Sequence, residues 1–193
     1  MKKHLITALL MTLVMTVLLG LIYPLVITGL AQVLFRDKAN GQLVSRNGEV
    51  IASRIIAQPF TSPKYFHPRP SAAGNGYDAA NSGGTNYAPT NQKLIDRVRS
   101  DASSLHQENP SELIPVDLLT TSASGLDPEI SPAAAEFQIP RIARERALSE
   151  SAVSDLVQQH TDQRDLGLFG EPRVNVLELN LALDALSVSH PVK

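Results

Sequence analysis

The chain has no cysteine and no tryptophan, and aromatic residues make up only 5% of its 193 positions. The lack of cysteine excludes disulfides, thiol nucleophiles and thiolate metal sites. Charge is missing from one long stretch: no Asp, Glu, Lys or Arg lies between Leu5 and Phe35. No Gly-x-x-x-x-Gly-Lys-Ser/Thr segment is present to cradle a nucleotide in a P-loop. No Gly-x-Ser-x-Gly turn is present to raise a serine nucleophile. No two histidines have metal-ligand spacing, and His67, His106 and His160 read as ordinary residues of a loop and two helix ends. An excess of basic charge is also lacking, which argues against a nucleic-acid partner.

What is present begins with the uncharged run. A bilayer core about 30 Å thick needs about 20 apolar residues in a helix, and residues 5–35 exceed that. A secretory signal has an apolar region of only about 7 to 15 residues. The best cleavage-like site here, Gly29-Leu30-Ala31, comes too late for one. The run therefore reads as a permanent transmembrane helix in contact with membrane lipid, with residues 1–35 forming the N-terminus and anchor. Pro24 should kink it. Thr7, Thr12, Thr16, Thr28, Gly20 and Gly29 suit packing against other helices.

Lys2 and Lys3 form a short, purely basic N-terminal flank, while the C-terminal flank leads into a large domain. Large domains translocate largely regardless of charge, so the N-terminus is read as cytoplasmic and residues 36–193 as an extracytoplasmic domain. Those 158 residues carry all 19 acidic and 15 of the 17 basic side chains, a formal charge of −4. They suffice for one domain with a real core. The fold class expected is α+β: one transmembrane helix, then a single mixed domain.

Along that domain, Asn47-Gly48 between strand-like runs predicts a hairpin, with Ile55-Ile56-Ala57 extending its second strand. The Pro-rich segment Phe60–Pro70 excludes helix and central strand. Its aromatics Phe60, Tyr65 and Phe66 either pack on the core, the favoured reading, or face a partner. Residues 71–91 have the composition of a flexible linker, yet a loop of that length inside a compact domain is commonly functional. Within it, Ser82, Gly83 and Gly84 either offer backbone amides to an anion or form a turn needing positive φ.

Residues 91–106 predict a helix. Leu94, Ile95, Val98, Ala102 and Leu105 face inward, and Asp96, Arg97, Arg99 and Asp101 face outward. Thr90 or Asn91 caps it. Leu113–Leu119 reads as a short apolar run, with a buried strand after Pro115. Ser131-Pro132 opens a helix that Pro140 should kink or divide, and Ser149 caps the next. Residues 174–186 fit strand at their start and helix later, and periodicity leaves the choice open. Ser187–Lys193 should fray.

Several segments carry a resemblance. They are Ser62-Pro63-Lys64-Tyr65-Phe66-His67-Pro68-Arg69-Pro70-Ser71-Ala72, Ser82-Gly83-Gly84-Thr85-Asn86 with Pro89-Thr90-Asn91, the run from Ile114 to Pro128, and Leu166-Gly167-Leu168-Phe169-Gly170-Glu171-Pro172-Arg173-Val174-Asn175-Val176-Leu177 with Leu179-Asn180. With the single N-terminal span, they resemble the C subunit of the Kdp potassium-transporting P-type ATPases over nearly the whole chain. One departure is Arg144-Glu145-Arg146-Ala147-Leu148, where that family often has a glycine after the arginine.

The resemblance implies a non-catalytic accessory subunit of an ATP-driven potassium importer in the bacterial inner membrane. Its implied partners are a channel-like potassium-translocating subunit, the P-type ATPase subunit and a small single-span subunit. It implies no tightly bound cofactor. Two mechanisms follow from it: a cap over the outer ion entrance, or a catalytic chaperone that raises the pump's affinity for ATP, with Ser82, Gly83 and Gly84 as a possible nucleotide contact. The Ser-Gly-Gly-Thr segment lacks the leucine before and the glutamine after that a transporter-ATPase signature has. The rival from another class is a membrane-anchored enzyme or binding domain that works alone.

Overall fold

A computed structural model describes residues 1–189, and the chain forms two compact units that divide between Ser53 and Arg54. The first unit begins with α1 (Lys2–Val17) and α2 (Tyr23–Leu34), joined by a π-helical turn at Leu18–Ile22. They make one helical run of 33 residues whose most apolar window buries nothing within the protein, about 50 Å at 1.5 Å per residue. The disturbance expected at Pro24 takes the form of that wide turn. A proline at this position cannot donate to a carbonyl one turn back, and its ring crowds that carbonyl. The Tyr23 amide instead reaches five residues back to the Leu18 carbonyl.

After the four-residue α3 (Arg36–Ala39), β1 (Leu43–Arg46) and β2 (Glu49–Ser53) pair antiparallel. Asn47 and Gly48 turn between them with φ of 55° and 85°, the positive pair that a type I′ turn requires. The second strand stops at Ser53 rather than running through Ile55-Ile56-Ala57. Its partner begins at Leu43, and the preceding Gly41 and Gln42 turn away with positive φ, so no ladder remains to extend.

The second unit holds α4 (Gln92–Glu108), β3 (Glu129–Ile130), α5 (Pro132–Arg146), α6 (Glu150–Gln159), β4 (Thr161–Asp162), β5 (Arg173–Asn175) and α7 (Val176–Ser189). The three strands form a small antiparallel sheet in the order β3-β5-β4. Each of three helices starts on a side-chain cap. Asn91 accepts from the Lys93 amide, Ser131 from Ala134 and Ser149 from Ala152. The core joins Phe66, Leu118, Ile130, Phe137, Ile142, Val153, Val157, Val174, Leu179 and Leu183.

Further expectations change or are settled. Residues 116–118 make a 3-10 turn rather than a strand: Leu118 bonds back to Pro115 and Leu119 to Val116, and only Leu118 of the turn is buried. Helix α5 continues through Pro140 as one element. Glu136 and Pro140 line an open groove where water can take the freed carbonyl, while Phe137, Ile139, Ile142 and Ala143 hold both flanks in the core. Arg97 and Asp101, expected on the outer face of α4, are half-buried, because Arg97 reaches the Leu119 carbonyl and pairs with Asp101. Residues 173–189 contain both candidates in turn, a three-residue strand and then a helix. Ser187–Ser189 stay in that helix, and the fraying expected of residues 190–193 lies outside the described residues.

Candidate interaction site around the Pro-rich segment and the glycine loop

The Pro-rich segment crosses the second unit without a sheet to satisfy its backbone. Two buried side-chain amides take that role. Asn180 on α7 accepts from the Phe66 amide at 2.8 Å and donates to the Phe66 carbonyl at 3.0 Å. Gln138 on α5 accepts from the His67 amide at 2.8 Å and donates to the His67 carbonyl at 3.2 Å. Successive residues of an extended chain present their polar groups to opposite sides, so one amide from each helix imitates a neighbouring strand.

Arg141 completes the clamp. It donates to the Pro63 and Tyr65 carbonyls, to Gln138 and to Glu108. Phe66 is fully buried and Phe60 packs against the core, so the segment's aromatics largely serve packing. Tyr65 is half-buried. Its ring lies under the Arg146 guanidinium, 4.7 Å from the centroid, and its hydroxyl donates to Asp184. Leu179-Asn180 is among the segments that carry the family resemblance, whereas neither Gln138 nor Arg141 stands out as a motif residue. The signal that could have found Gln138, and that Asn180 shares, is polarity in an apolar context, Phe137-Gln138-Ile139 and Leu179-Asn180-Leu181.

The loop at residues 71–91 is tied down rather than free. Ser71 donates to the Gly125 carbonyl and accepts from the Ala73 and Tyr77 amides, while Tyr77 donates to the Arg69 carbonyl. Of the sequence-predicted site residues, Ser82 and Gly83 both donate to the Ser124 carbonyl, at 3.0 and 2.8 Å. A Cβ at Gly84 would lie 3.2 Å from the Ala123 carbonyl oxygen, so this glycine allows close backbone approach. Neither Gly83 nor Gly84 has positive φ, and of residues 81–86 only Asn86 does. The loop docks on residues 122–125, where Gly125 has φ of 66° and no room for a side chain. Arg69 ties both pieces to the turn after residue 118, pairing with Asp127 and reaching the Thr120 carbonyl.

Four ionisable groups in this region are shifted, and one of them, the Asp78 carboxyl, is held below its ordinary value by hydrogen bonds from the Asn81 side chain and the Ala80 amide. Burial, and then the Arg141 charge, hold His67 below its ordinary value, so it stays neutral near pH 7. Burial pushes the Tyr77 hydroxyl up to about 12. Burial raises Glu129 although Arg173 opposes the shift. His160 lies apart, its Nδ1 3.0 Å from the Leu156 carbonyl at the end of α6. Among the described residues no cluster of three His, Cys, Asp or Glu could hold a metal.

Opposite in character is the tip at residues 164–171. Main-chain bonds join Asp165 and Phe169, and Arg164 pairs with Glu171. Leu166, Leu168 and Phe169 protrude with 93%, 71% and 61% of their surface exposed. What these parts do together is tie irregular segments to α5, to α7 and to residues 122–125.

The family profile described as K+-transporting ATPase, c chain, matches residues 5–185. The potassium-transporting ATPase KdpC subunit of Koribacter versatilis is 68% identical over 184 residues, 95% of each chain. That of Acidobacterium capsulatum is 55% identical over 184 residues, 95% of this chain and 99% of the relative. That of Rhodopseudomonas palustris is 53% identical over 197 aligned positions, 96% of this chain and 99% of the relative. The chain therefore belongs to the KdpC family, the c chain of the K+-transporting ATPases.

Proposed function

We propose that this chain is the non-catalytic, membrane-anchored accessory subunit of an ATP-driven potassium importer, with its second unit outside the inner membrane capping the ion entrance of the potassium-translocating subunit. The observation that carries the reading is the 33-residue apolar helix with nothing buried against it in its own chain. Lipid and neighbouring helices must cover that surface. Lys2 and Lys3 in the first turn of the helix favour a cytoplasmic N-terminus. The partners are the channel-like subunit, the P-type ATPase subunit and the small single-span subunit, and ATP hydrolysis belongs to the ATPase subunit.

The alternative mechanism, a chaperone that raises ATP affinity through Ser82, Gly83 and Gly84, has less support. The Gly83 amide already donates to Ser124, and Gly84 is packed against Ala123, which leaves that segment little to offer a phosphate. A domain outside the membrane also never meets cytoplasmic ATP.

Two measurements test the proposal. Tagged full-length chain extracted in mild detergent should bring the pump and the channel-like subunit with it, with potassium-stimulated ATP hydrolysis in the eluate. Elution alone would leave the stand-alone anchored domain as the reading. Protease added to sealed right-side-out spheroplasts should digest the second unit, and full protection refutes the cap.

A further inference from the structure

A cavity of about 410 Å³ opens between α4 and the Pro-rich segment, within the size range of small-ligand sites. Phe60, Pro68, Pro70, Leu105 and Leu118 give it an apolar floor, and His67, Tyr77, Asp101, Ser104, Glu108 and Gln138 supply the polar lining. The protons of these polar groups are already committed inside the protein. Tyr77 donates to the Arg69 carbonyl and Ser104 to the Ser100 carbonyl. Gln138 donates to His67 and Ala134. His67 Nε2 lies 3.0 Å from the Ser62 carbonyl. A carbonyl only accepts, so Nε2 carries the proton and Nδ1 keeps a bare lone pair.

What remains on offer is acceptors. His67 Nδ1, the second carboxylate oxygens of Asp101 and Glu108, and the lone pairs of Tyr77 and Ser104 have no partner among the described residues. Each carboxylate spends its other oxygen on an arginine, Asp101 on Arg97 and Glu108 on Arg141, at 2.7 Å. Neither guanidinium lines the cavity. The Thr61 hydroxyl, also lining it, can accept as readily as donate. Such a lining disfavours anions, nucleotide phosphates among them, because the carboxylates of Asp101 and Glu108 face them and the Thr61 hydroxyl is the one uncommitted side-chain donor among its described residues.

We propose that this cavity binds an organic cation with N–H donors on an aliphatic stem, an alkylammonium or guanidinium group, with the stem on Phe60, Leu105 and Leu118 and the head among the acceptors of His67, Asp101 and Glu108. The same chemistry belongs to a free polyamine and to a lysine or arginine side chain of a neighbouring subunit.

The probe is agmatine, titrated calorimetrically into the full-length chain in non-ionic detergent at neutral pH, with butan-1-ol as the uncharged control. Saturable binding is expected for agmatine, with butan-1-ol weaker by about tenfold or more. Ser104→Leu fills the cavity from an exposed helix position and should weaken agmatine by about tenfold or more with an unchanged circular-dichroism spectrum. If that variant does not fold, Asp101→Asn decides, with the same loss expected. Absence of saturable agmatine binding overturns the proposal. So does equal binding of butan-1-ol, or binding indifferent to the deciding variant. Repeating the titration on the assembled complex separates the sources. Binding retained there points to a free amine, and binding lost there points to a subunit side chain already in the cavity.

Discussion

At the scale of single residues, Ala147 and Tyr77 show what the surroundings impose. Ala147 follows the last turn of α5 with φ of 54° and ψ of 39°, and Leu148 bonds back to the Ala143 carbonyl. This is the left-handed helix stop that glycine fills without strain. An alanine at this position carries strain that a glycine would not. Ala147→Gly should stabilise the second unit by about 1 kcal/mol, read as a higher midpoint in urea unfolding of the full-length chain followed by circular dichroism. An unchanged or lower midpoint would show that Gly adds more freedom to the unfolded chain than it relieves in the folded one.

Tyr77 gives a pH signature. Its folded value of about 12 lies above the ordinary 10, so the folded state keeps a proton that the unfolded state gives up. Stability from this group is present below pH 10 and is lost as pH rises to 12. An absorbance titration of tyrosinate should show a step near 12 that Tyr77→Phe removes.

At the scale of elements, what was legible in the sequence was local. The Asn47-Gly48 hairpin and the helix starts at Asn91, Ser131 and Ser149 each depend on residues within three or four positions. What was not legible depended on distant partners. Phe66 and His67 are satisfied by Asn180 and Gln138, 114 and 71 residues away, and no local pattern announces that. Pro140 misled for the same reason, since its helix is held by tertiary packing on both flanks. The glycine loop followed suit. Its composition suggested flexibility, whereas its order comes from residues 122–125, about forty positions later.

Gly125 is the element's pivot. A side chain there meets the Ala73 amide nitrogen and the Gly83 carbonyl oxygen at 2.7 Å each, on a backbone with positive φ. Gly125→Ala should therefore cost about 2 kcal/mol or more and should release residues 71–91 to limited proteolysis. If that loop stays protected, the contact with residues 122–125 is not what orders it.

At the scale of the whole molecule, the chain divides its work between a helix without a core and a core without a helix partner. The buried Ala52 of the hairpin lies before Arg54, whereas the contiguous core cluster, from Phe66 to Leu183, lies beyond it. The clamp residues Gln138, Arg141 and Asn180 lie there too, as does the cavity beside α4. No described residue of that cluster comes from Lys2–Leu34, so a chain beginning at Arg54 should be soluble and unfold in one cooperative transition. The helix has the opposite dependence under the proposed function, because its apolar surface is not buried within the described residues and needs lipid or other helices to cover it. The truncated chain should accordingly fail to co-purify with the other subunits and fail to restore growth at low potassium in cells lacking this gene, while the full-length chain restores it. If the truncated chain restores growth when exported, the second unit carries the essential contact and the helix serves only to concentrate it at the membrane. If it aggregates, the boundary at Ser53 cuts through a single folding unit, and the hairpin of β1 and β2 belongs to the core's stability.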